Sequence, residues 1–127
     1  MTRAVADTSV FIAREADRPL GELPDEIAVS VITAAELELG VLRARHADAR
    51  AARTATLVRV RSSYPLLPVD EVVASCYARL ADQQLRAGRK PRRHDTWIAA
   101  TAMRHNAAVL TQDHDFATFD TVEVVYV

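Results

Sequence analysis

Short apolar runs alternate with longer amphipathic stretches along this 127-residue chain, and that alternation is the feature that most limits its fold. The apolar runs at residues 4–6, 27–29 and 107–110 predict strands, and residues 122–126 predict a last one. The pair Leu66-Leu67 lies between two prolines, so it predicts at best a short edge strand. Strands that alternate with helices are typical of an α/β fold with a largely parallel sheet.

The first amphipathic stretch predicts a helix from residue 32 to about residue 45, with Ser30 as its N-cap. Its apolar residues recur at helical spacing and predict one buried stripe, formed by Ile32, Ala35, Leu39 and Leu42. Leu37 and Val41 form a second apolar strip on the same helix. The simplest interpretation of this second strip is packing within the chain.

Three further helices are predicted in the middle of the sequence. Residues 48 to about 63 are rich in alanine and arginine and predict the first of them. Asp70 is a candidate N-cap for a helix that runs to about residue 87, where Gly88 would end it. The last helix is expected to begin near residue 94 or 95 and to end near residue 106.

Composition excludes several classes of protein. Half of the residues are hydrophobic, which argues against a disordered chain. No apolar run approaches the roughly 18 residues that a membrane-spanning helix needs, and Asp7 interrupts the first run too early for a signal peptide. The single cysteine, Cys76, cannot form an internal disulfide. We therefore expect one domain over residues 1–127, in the cytoplasm and without a membrane partner.

Five acidic residues occupy four places where an apolar element begins or ends. Asp7 directly follows the first predicted strand, and Asp113 and Asp115 follow the strand at residues 107–110. Glu36 lies beside the apolar stripe of its helix, and Asp95 opens a helix on its buried side. Each acid taken alone also fits a plain role as a cap, a turn residue or a solvated helix residue. Ligands of parallel sheets bind at the carboxyl ends of the strands, so together these acids predict a site.

Carboxylates gathered at one edge of a sheet repel one another unless a cation compensates their charge. Oxygen ligands without cysteine suit hard cations such as Mg²⁺ or Mn²⁺. Such ions assist hydrolysis of phosphodiesters by activating water and by stabilising charge in the transition state. His94 and His114 adjoin the acids, but hard cations favour oxygen, so we do not expect either histidine to be a ligand.

The acids lie in four segments: Asp7-Thr8-Ser9, Thr33-Ala34-Ala35-Glu36-Leu37, His94-Asp95-Thr96-Trp97-Ile98-Ala99-Ala100 and Leu110-Thr111-Gln112-Asp113-His114-Asp115-Phe116. In order and spacing, these segments resemble the motifs of PIN-domain nucleases, and more narrowly those of the VapC toxins of bacterial type II toxin–antitoxin systems. The resemblance covers nearly the whole chain. It implies a three-layer α/β/α sandwich with a mainly parallel central sheet. It also implies a metal-dependent endoribonuclease that leaves a 5′-phosphate and a 3′-hydroxyl.

The resemblance assigns the family's acidic quartet to four catalytic candidates, Asp7, Glu36, Asp95 and Asp113. Asp115 matches a further acid of the family. The implied ligands of Mg²⁺ or Mn²⁺ are Asp7, Asp95 and one or both of Asp113 and Asp115, and which of those two binds directly stays open. Glu36 would bind a second ion or act on the attacking water. Two supporting hydroxyl positions near the family's metal site are also matched, by Ser9 and Thr111, for which turn capping is an equal alternative.

The resemblance implies three macromolecular partners. The first is an RNA substrate. The second is a cognate VapB antitoxin, whose tail covers the active site and often places an arginine among the acids. The third is a second copy of the chain, because proteins of this family are usually dimers. The apolar strip at Leu37 and Val41 is then a candidate dimer interface.

The net charge of −1 conceals a strong separation of charge along the sequence. Twelve of the 16 basic residues, but only four of the 17 acids, lie between Arg43 and Arg93. Five of these basic residues come just before Asp95, namely Arg86, Arg89, Lys90, Arg92 and Arg93. We expect them to contact RNA phosphates beside the acids. The alternative is a solvated loop in which Arg86 only complements the end of a helix.

Three other functions remain as alternatives to a VapC-like toxin. Phosphoaspartyl chemistry also uses an acid after the first strand, but the dehalogenase-like pattern wants a second Asp where this chain has Ser9. A catalytically silent PIN-like module that binds RNA is disfavoured by the complete set of acids. A PIN nuclease that processes RNA outside a toxin–antitoxin pair has the same residues as a toxin.

Overall fold

The computed structural model describes residues 3–127. The elements follow one another as β1 (Arg3–Ala6), α1 (Thr8–Glu15), β2 (Glu26–Ser30), α2 (Val31–Leu42), α3 (Ala47–Ser63), β3 (Leu66–Leu67), α4 (Glu71–Arg86), α5 (Arg93–Arg104), β4 (Ala108–Thr111), a 3₁₀ helix (His114–Thr118) and β5 (Val124–Tyr126). None of the helices in this part of the chain is long and apolar enough to cross a membrane.

The five strands form one sheet in the order β3-β2-β1-β4-β5, and every neighbouring pair is parallel. The prediction of a mainly parallel sheet is therefore confirmed, and so is the short edge strand at Leu66–Leu67. Ala6 at the end of the central strand is in register with Val29 on one side and with Leu110 on the other. The carboxyl ends of β1, β2 and β4 consequently lie side by side.

Two separate hydrophobic cores cover the two faces of the sheet. Side chains alternate between the faces along a strand, and in β1 Val5 joins one core while Ala4 and Ala6 join the other. The first core includes Leu80 of α4 and Ile98 of α5. The second core is built with buried residues of α1, α2 and α3. The expected three-layer α/β/α sandwich is confirmed.

The prediction of which apolar residues of α2 are buried is wrong. Leu39 and Leu42 are 55% and 64% exposed, and the buried apolar residues of α2 are Ala34 and Leu37. The helix is apolar on most of its circumference, so spacing alone does not select its buried face. Ser30 ends β2 and caps α2 directly, accepting a hydrogen bond from the Ile32 N–H at 3.0 Å, and this junction sets the rotation of the helix. Leu37 packs within the chain, as its simplest interpretation predicted.

The helix α1 was not predicted, although Asp7 was recognised as a candidate cap. Its eight residues bury Val10, Phe11 and Ala13, a cluster too short to show helical periodicity in the sequence. The other boundaries differ from the predicted ones by a few residues, and the largest shifts are the end of α2 at Leu42 and the start of β5 at Val124. Gly88 has a φ of 73° just after α4, as expected for a residue that ends a helix.

Candidate active site

Asp7 and the segment after β4 meet at the carboxyl edge of the sheet. Asp7 follows β1, and its N–H donates to the carbonyl of Leu110 in β4 at 2.8 Å. Thr111 ends β4 and its Oγ1 donates to Asp7 Oδ2 at 2.9 Å. Parallel neighbours end on the same side of a sheet, so the predicted meeting of these two segments is observed.

A small hydroxyl network fixes the Asp7 carboxylate. Besides the bond from Thr111, the backbone N–H of Ser9 approaches Asp7 Oδ2 at 3.4 Å. The hydroxyls of Ser9 and Thr111 lie 3.2 Å apart. Their oxygens accept the backbone N–H groups of Gln112, at 3.0 Å, and of Asp113, at 2.8 Å. The hydroxyls of Ser9 and Thr111 therefore cap the turn after β4, and that of Thr111 also holds the buried Asp7 carboxylate.

Glu36 reaches the same region from α2. Its side chain is 28% exposed, and its Oε1 accepts a hydrogen bond from the Thr8 hydroxyl at 2.9 Å. Its second oxygen, Oε2, lies 3.4 Å from Nδ1 of His94. The contact with Thr8 was missed from the sequence, although this threonine directly follows Asp7 in the first motif. The only sign of this contact in the sequence was the presence of a hydroxyl group next to Asp7, on Thr8.

The surroundings of Asp95 disfavour its negative charge. Its side chain is only 16% exposed, and Oδ2 is buried without a hydrogen-bond donor. Burial raises the pKa of Asp95 from 3.8 to about 6. Arg92 opposes this change, with Nε 3.1 Å from Oδ2, although its N–H does not make a hydrogen bond there. The negative charges of three neighbours raise the pKa further, namely Asp7, Asp113 and Glu36.

Asp113 and Asp115 occupy different environments at the start of the 3₁₀ helix. Asp113 caps this helix, and its Oδ1 accepts the backbone N–H of Asp115 at 2.9 Å. Asp115 is about half exposed, and its Oδ2 forms an ion pair with Nη1 of Arg92. One oxygen of Asp113 is thus used by the backbone, whereas Asp115 is held by a side chain.

The donor set of this cluster fits a hard divalent cation. It consists of carboxylate oxygens from four elements or their junctions, and one of these oxygens is buried without any donor. The mutual repulsion that raises the pKa of Asp95 is the repulsion that a cation relieves. Within residues 3–127, no group of three or more acidic, histidine or cysteine side chains is close enough together to hold a metal ion. The fit therefore rests on ligand chemistry and charge.

The five predicted basic residues divide into three groups in the structure. Arg86 pairs with Asp82 on the surface of α4, which matches the structural alternative for that residue. Arg89 donates to the carbonyl of Thr118 at 3.2 Å and so fastens the 3₁₀ helix. The remaining three line a groove of about 450 Å³ together with Glu36, His94 and Asp95, and they are Lys90, Arg92 and Arg93.

A larger groove of about 580 Å³ lies against β1 and β2 and includes Val5, Ile27 and Tyr64 in its lining. None of the acids predicted for the site lines it. Volume alone does not mark a functional site, whereas mutually repelling carboxylates, two of them largely buried, are typical of one. We therefore assign the candidate active site to the acidic cluster and the smaller groove.

Comparison with known proteins identifies the family of the chain. The sequence model of the PIN domain matches residues 4–122. The chain belongs to the PIN domain family. Among PIN relatives, Ribonuclease VapC5 of Mycobacterium tuberculosis is 47% identical, over 97% of this chain and 94% of that protein. Ribonuclease VapC4 of the same organism is 44% identical, over 97% and 95%.

A solved PIN structure matches the whole fold. It is that of VapBC-5 from Mycobacterium tuberculosis, a member of the VapBC family of toxin-antitoxin systems. It superposes with a TM-score of 0.88 at 43% identity, and the match covers 100% of this chain and 98% of that one. The overall fold of the chain is therefore that of a PIN domain.

Proposed function

We propose that this chain is a metal-dependent endoribonuclease that acts as the toxin of a VapBC-type toxin–antitoxin pair. The observation that carries the proposal is the set of carboxylates at one sheet edge, with Asp95 Oδ2 buried and lacking a donor. The names of the PIN relatives, which are VapC ribonucleases, support RNA as the substrate and a toxin as the role. A PIN nuclease outside such a pair is the second candidate.

We assign the ion, Mg²⁺ or Mn²⁺, to Asp7, Asp95 and the Asp113–Asp115 segment. When bound, it supplies positive charge that stabilises the phosphodiester while water attacks phosphorus. Asp7 is fixed for this role by the hydroxyl of Thr111, which leaves its carboxylate little freedom to rotate. Asp113 has one oxygen engaged by the backbone, so its other oxygen is the one available to the ion.

Glu36 is the proposed base. It sits on α2 outside the hydroxyl network around Asp7, and Thr8 holds one of its oxygens. The other oxygen, Oε2, lies 3.4 Å from Nδ1 of His94. In this proposal it exchanges that contact for the attacking water and takes the proton of this water as the new bond to phosphorus forms. The bond between phosphorus and the 3′-oxygen breaks, that oxygen takes a proton from solvent water, and Glu36 later returns its proton to solvent. The products are a 5′-phosphate and a 3′-hydroxyl.

Basic residues position the RNA beside the acids. Lys90 and Arg93 are exposed in the groove that Glu36 and Asp95 also line, so a phosphate there lies next to the proposed ion. Arg89 also faces this region, but its guanidinium already supports the 3₁₀ helix. Arg86 contributes only to the general positive charge.

We further propose a VapB-type antitoxin and a second copy of the chain as partners, and a cytoplasmic site of action where RNA is accessible. Support for the antitoxin comes from the PIN structures that match, which are VapBC complexes. Exposed apolar side chains on α1, α2 and α3 offer a surface for a protein partner, for example Ile12, Leu39 and Val58.

The function is tested by inducing the chain in bacteria and sequencing newly formed RNA ends. We expect growth arrest together with discrete 5′-phosphate ends, both absent with Asp7→Asn and both retained with Asp48→Asn, an exposed substitution on α3. Co-expression of a small protein encoded beside the gene should restore growth. RNA cleavage without growth arrest would favour the second candidate, and cleavage that survives Asp7→Asn would contradict the nuclease assignment.

A further inference from the structure

Arg92 sits between two carboxylates of the candidate active site. Its backbone starts α5, where its carbonyl accepts the N–H of Thr96 at 2.8 Å. Its side chain makes no capping bond and turns instead toward the acids. Nε lies 3.1 Å from Asp95 Oδ2, and Nη1 pairs with Asp115 Oδ2. A residue expected to contact RNA thus lies within the acidic cluster.

We propose that Arg92 is a built-in counterion, which occupies the place of the divalent cation and is displaced from the carboxylates when that cation binds. The inference rests on the proposed function, because it concerns the same metal site. While no ion is bound, its guanidinium offsets the repulsion between Asp95 and Asp115, and it competes with the ion for the same carboxylates.

The contacts of Arg92 with the two carboxylates are of a kind that a divalent cation can replace. Its side chain is 59% exposed, so solvent screens the charge of the guanidinium even though the Asp95 carboxylate is largely buried. The Nε–H makes no hydrogen bond to Asp95 Oδ2, so this buried oxygen still lacks a donor. A divalent ion carries twice the charge of a guanidinium and accepts that oxygen as a direct ligand. The cation therefore gains a contact that Arg92 leaves unmade.

Once the cation has displaced it from the carboxylates, Arg92 can bind an RNA phosphate. The residue lines the groove that Lys90 and Arg93 also line. A guanidinium released from the carboxylates lies beside the place where a phosphate would bind, and its planar fork can bind two phosphate oxygens. Loss of Arg92 should consequently have opposite effects on the two ligands. The affinity for the cation should rise, and the affinity for RNA should fall.

The test is a calorimetric titration of the purified full chain with Mn²⁺ alone. We expect Arg92→Gln to lower the Kd for Mn²⁺ by about three- to tenfold, which corresponds to losing two exposed ion pairs. The matched control is Arg93→Gln, which removes the same charge from the next residue. Arg93 makes no ion pair with a carboxylate in the described part of the chain, so its change in Kd should stay below about twofold.

Two further measurements separate this inference from general electrostatics and from the proposed function. Arg92→Lys keeps the charge but cannot span both carboxylates, so its Kd should lie between those of the parent and Arg92→Gln. At saturating Mn²⁺, Arg92→Gln should raise the KM for a short RNA. An unchanged or higher Kd for Mn²⁺ in Arg92→Gln, or an equal fall in Arg93→Gln, overturns the inference. If the Kd values for Mn²⁺ of the parent chain and its variants fall in the expected order but the parent chain cleaves no RNA, only the proposed nuclease function is contradicted.

Discussion

Replacing Asp95 by Asn should stabilise the protein in the absence of metal. The pKa of Asp95 is about 6 in the folded chain and 3.8 as its ordinary value. The folded protein therefore holds the proton more tightly than the unfolded chain does. Stability consequently falls as the pH rises from about 4 to about 6, and the full cost is present at pH 7. Asn has the same shape, carries no charge and removes that cost.

The size of the effect follows from the shift. Two pKa units at 1.36 kcal/mol each are about 3 kcal/mol. This shift already includes the opposing effect of Arg92. The Asn side chain, however, still places a buried polar atom without a partner at this position, which costs roughly 1 kcal/mol. We expect a net gain of about 2 kcal/mol in the free energy of unfolding at pH 7, or roughly 5–10 °C in Tm. The gain should shrink as the pH falls below 6, because Asp95 of the parent chain then becomes protonated.

The assay is urea unfolding in EDTA at several pH values, with Asp70→Ala as a control of opposite sign. The bond from the Val73 N–H lowers the pKa of Asp70, so removal of this cap should destabilise the protein at pH 7. Added Mn²⁺ should raise the Tm of the parent chain but not that of Asp95→Asn. A loss of stability in Asp95→Asn at pH 7 without metal would show that burial and repulsion of the Asp95 carboxylate do not destabilise the folded chain.

Two other substitutions test the network and the groove. Thr111→Val leaves Asp7 and the Asp113 N–H without their hydroxyl partner, so we expect a loss of roughly 1–3 kcal/mol in urea unfolding. Its Mn²⁺ affinity should fall about 10- to 100-fold, and an unchanged affinity would limit Thr111 to a structural role. Lys90→Ala combined with Arg93→Ala should reduce the salt slope of RNA binding by about 1.4, measured by anisotropy in EDTA. The same slope as the parent chain would place the phosphates elsewhere.

The positions of the acids were largely predictable from the sequence. Asp7 and Asp113 follow apolar runs that were predicted to be parallel strands, and parallel strands carry whatever follows them to a common edge; the structure adds that the two strands are neighbours. Asp95 precedes a run of small buried residues, which determined that it faces inward. These predictions succeeded because each depends on local order along the chain and on one rule of sheet topology.

Two kinds of feature could not be predicted from the sequence: the rotation of a helix about its axis, and contacts between side chains that are distant along the chain. The buried face of α2 is set by its junction with β2, because the helix itself is apolar on most sides. The hydrogen bond from Thr8 to Glu36 joins residues 28 positions apart. Arg92 was grouped with neighbouring basic residues, and composition gives no sign that its side chain turns toward Asp95 and Asp115. Each of these contacts needs three-dimensional coordinates.

In the proposed function, the carboxylates at the sheet edge hold a divalent cation with which the chain cleaves RNA. The most direct measurement incubates the purified protein with a labelled single-stranded RNA and Mn²⁺, with and without EDTA. The parent chain and Asp48→Asn should cleave the RNA in an EDTA-sensitive manner, whereas folded Asp7→Asn should lose cleavage and Mn²⁺ binding together. Cleavage by Asp7→Asn at the parent's rate, or cleavage that persists in EDTA, would contradict the account.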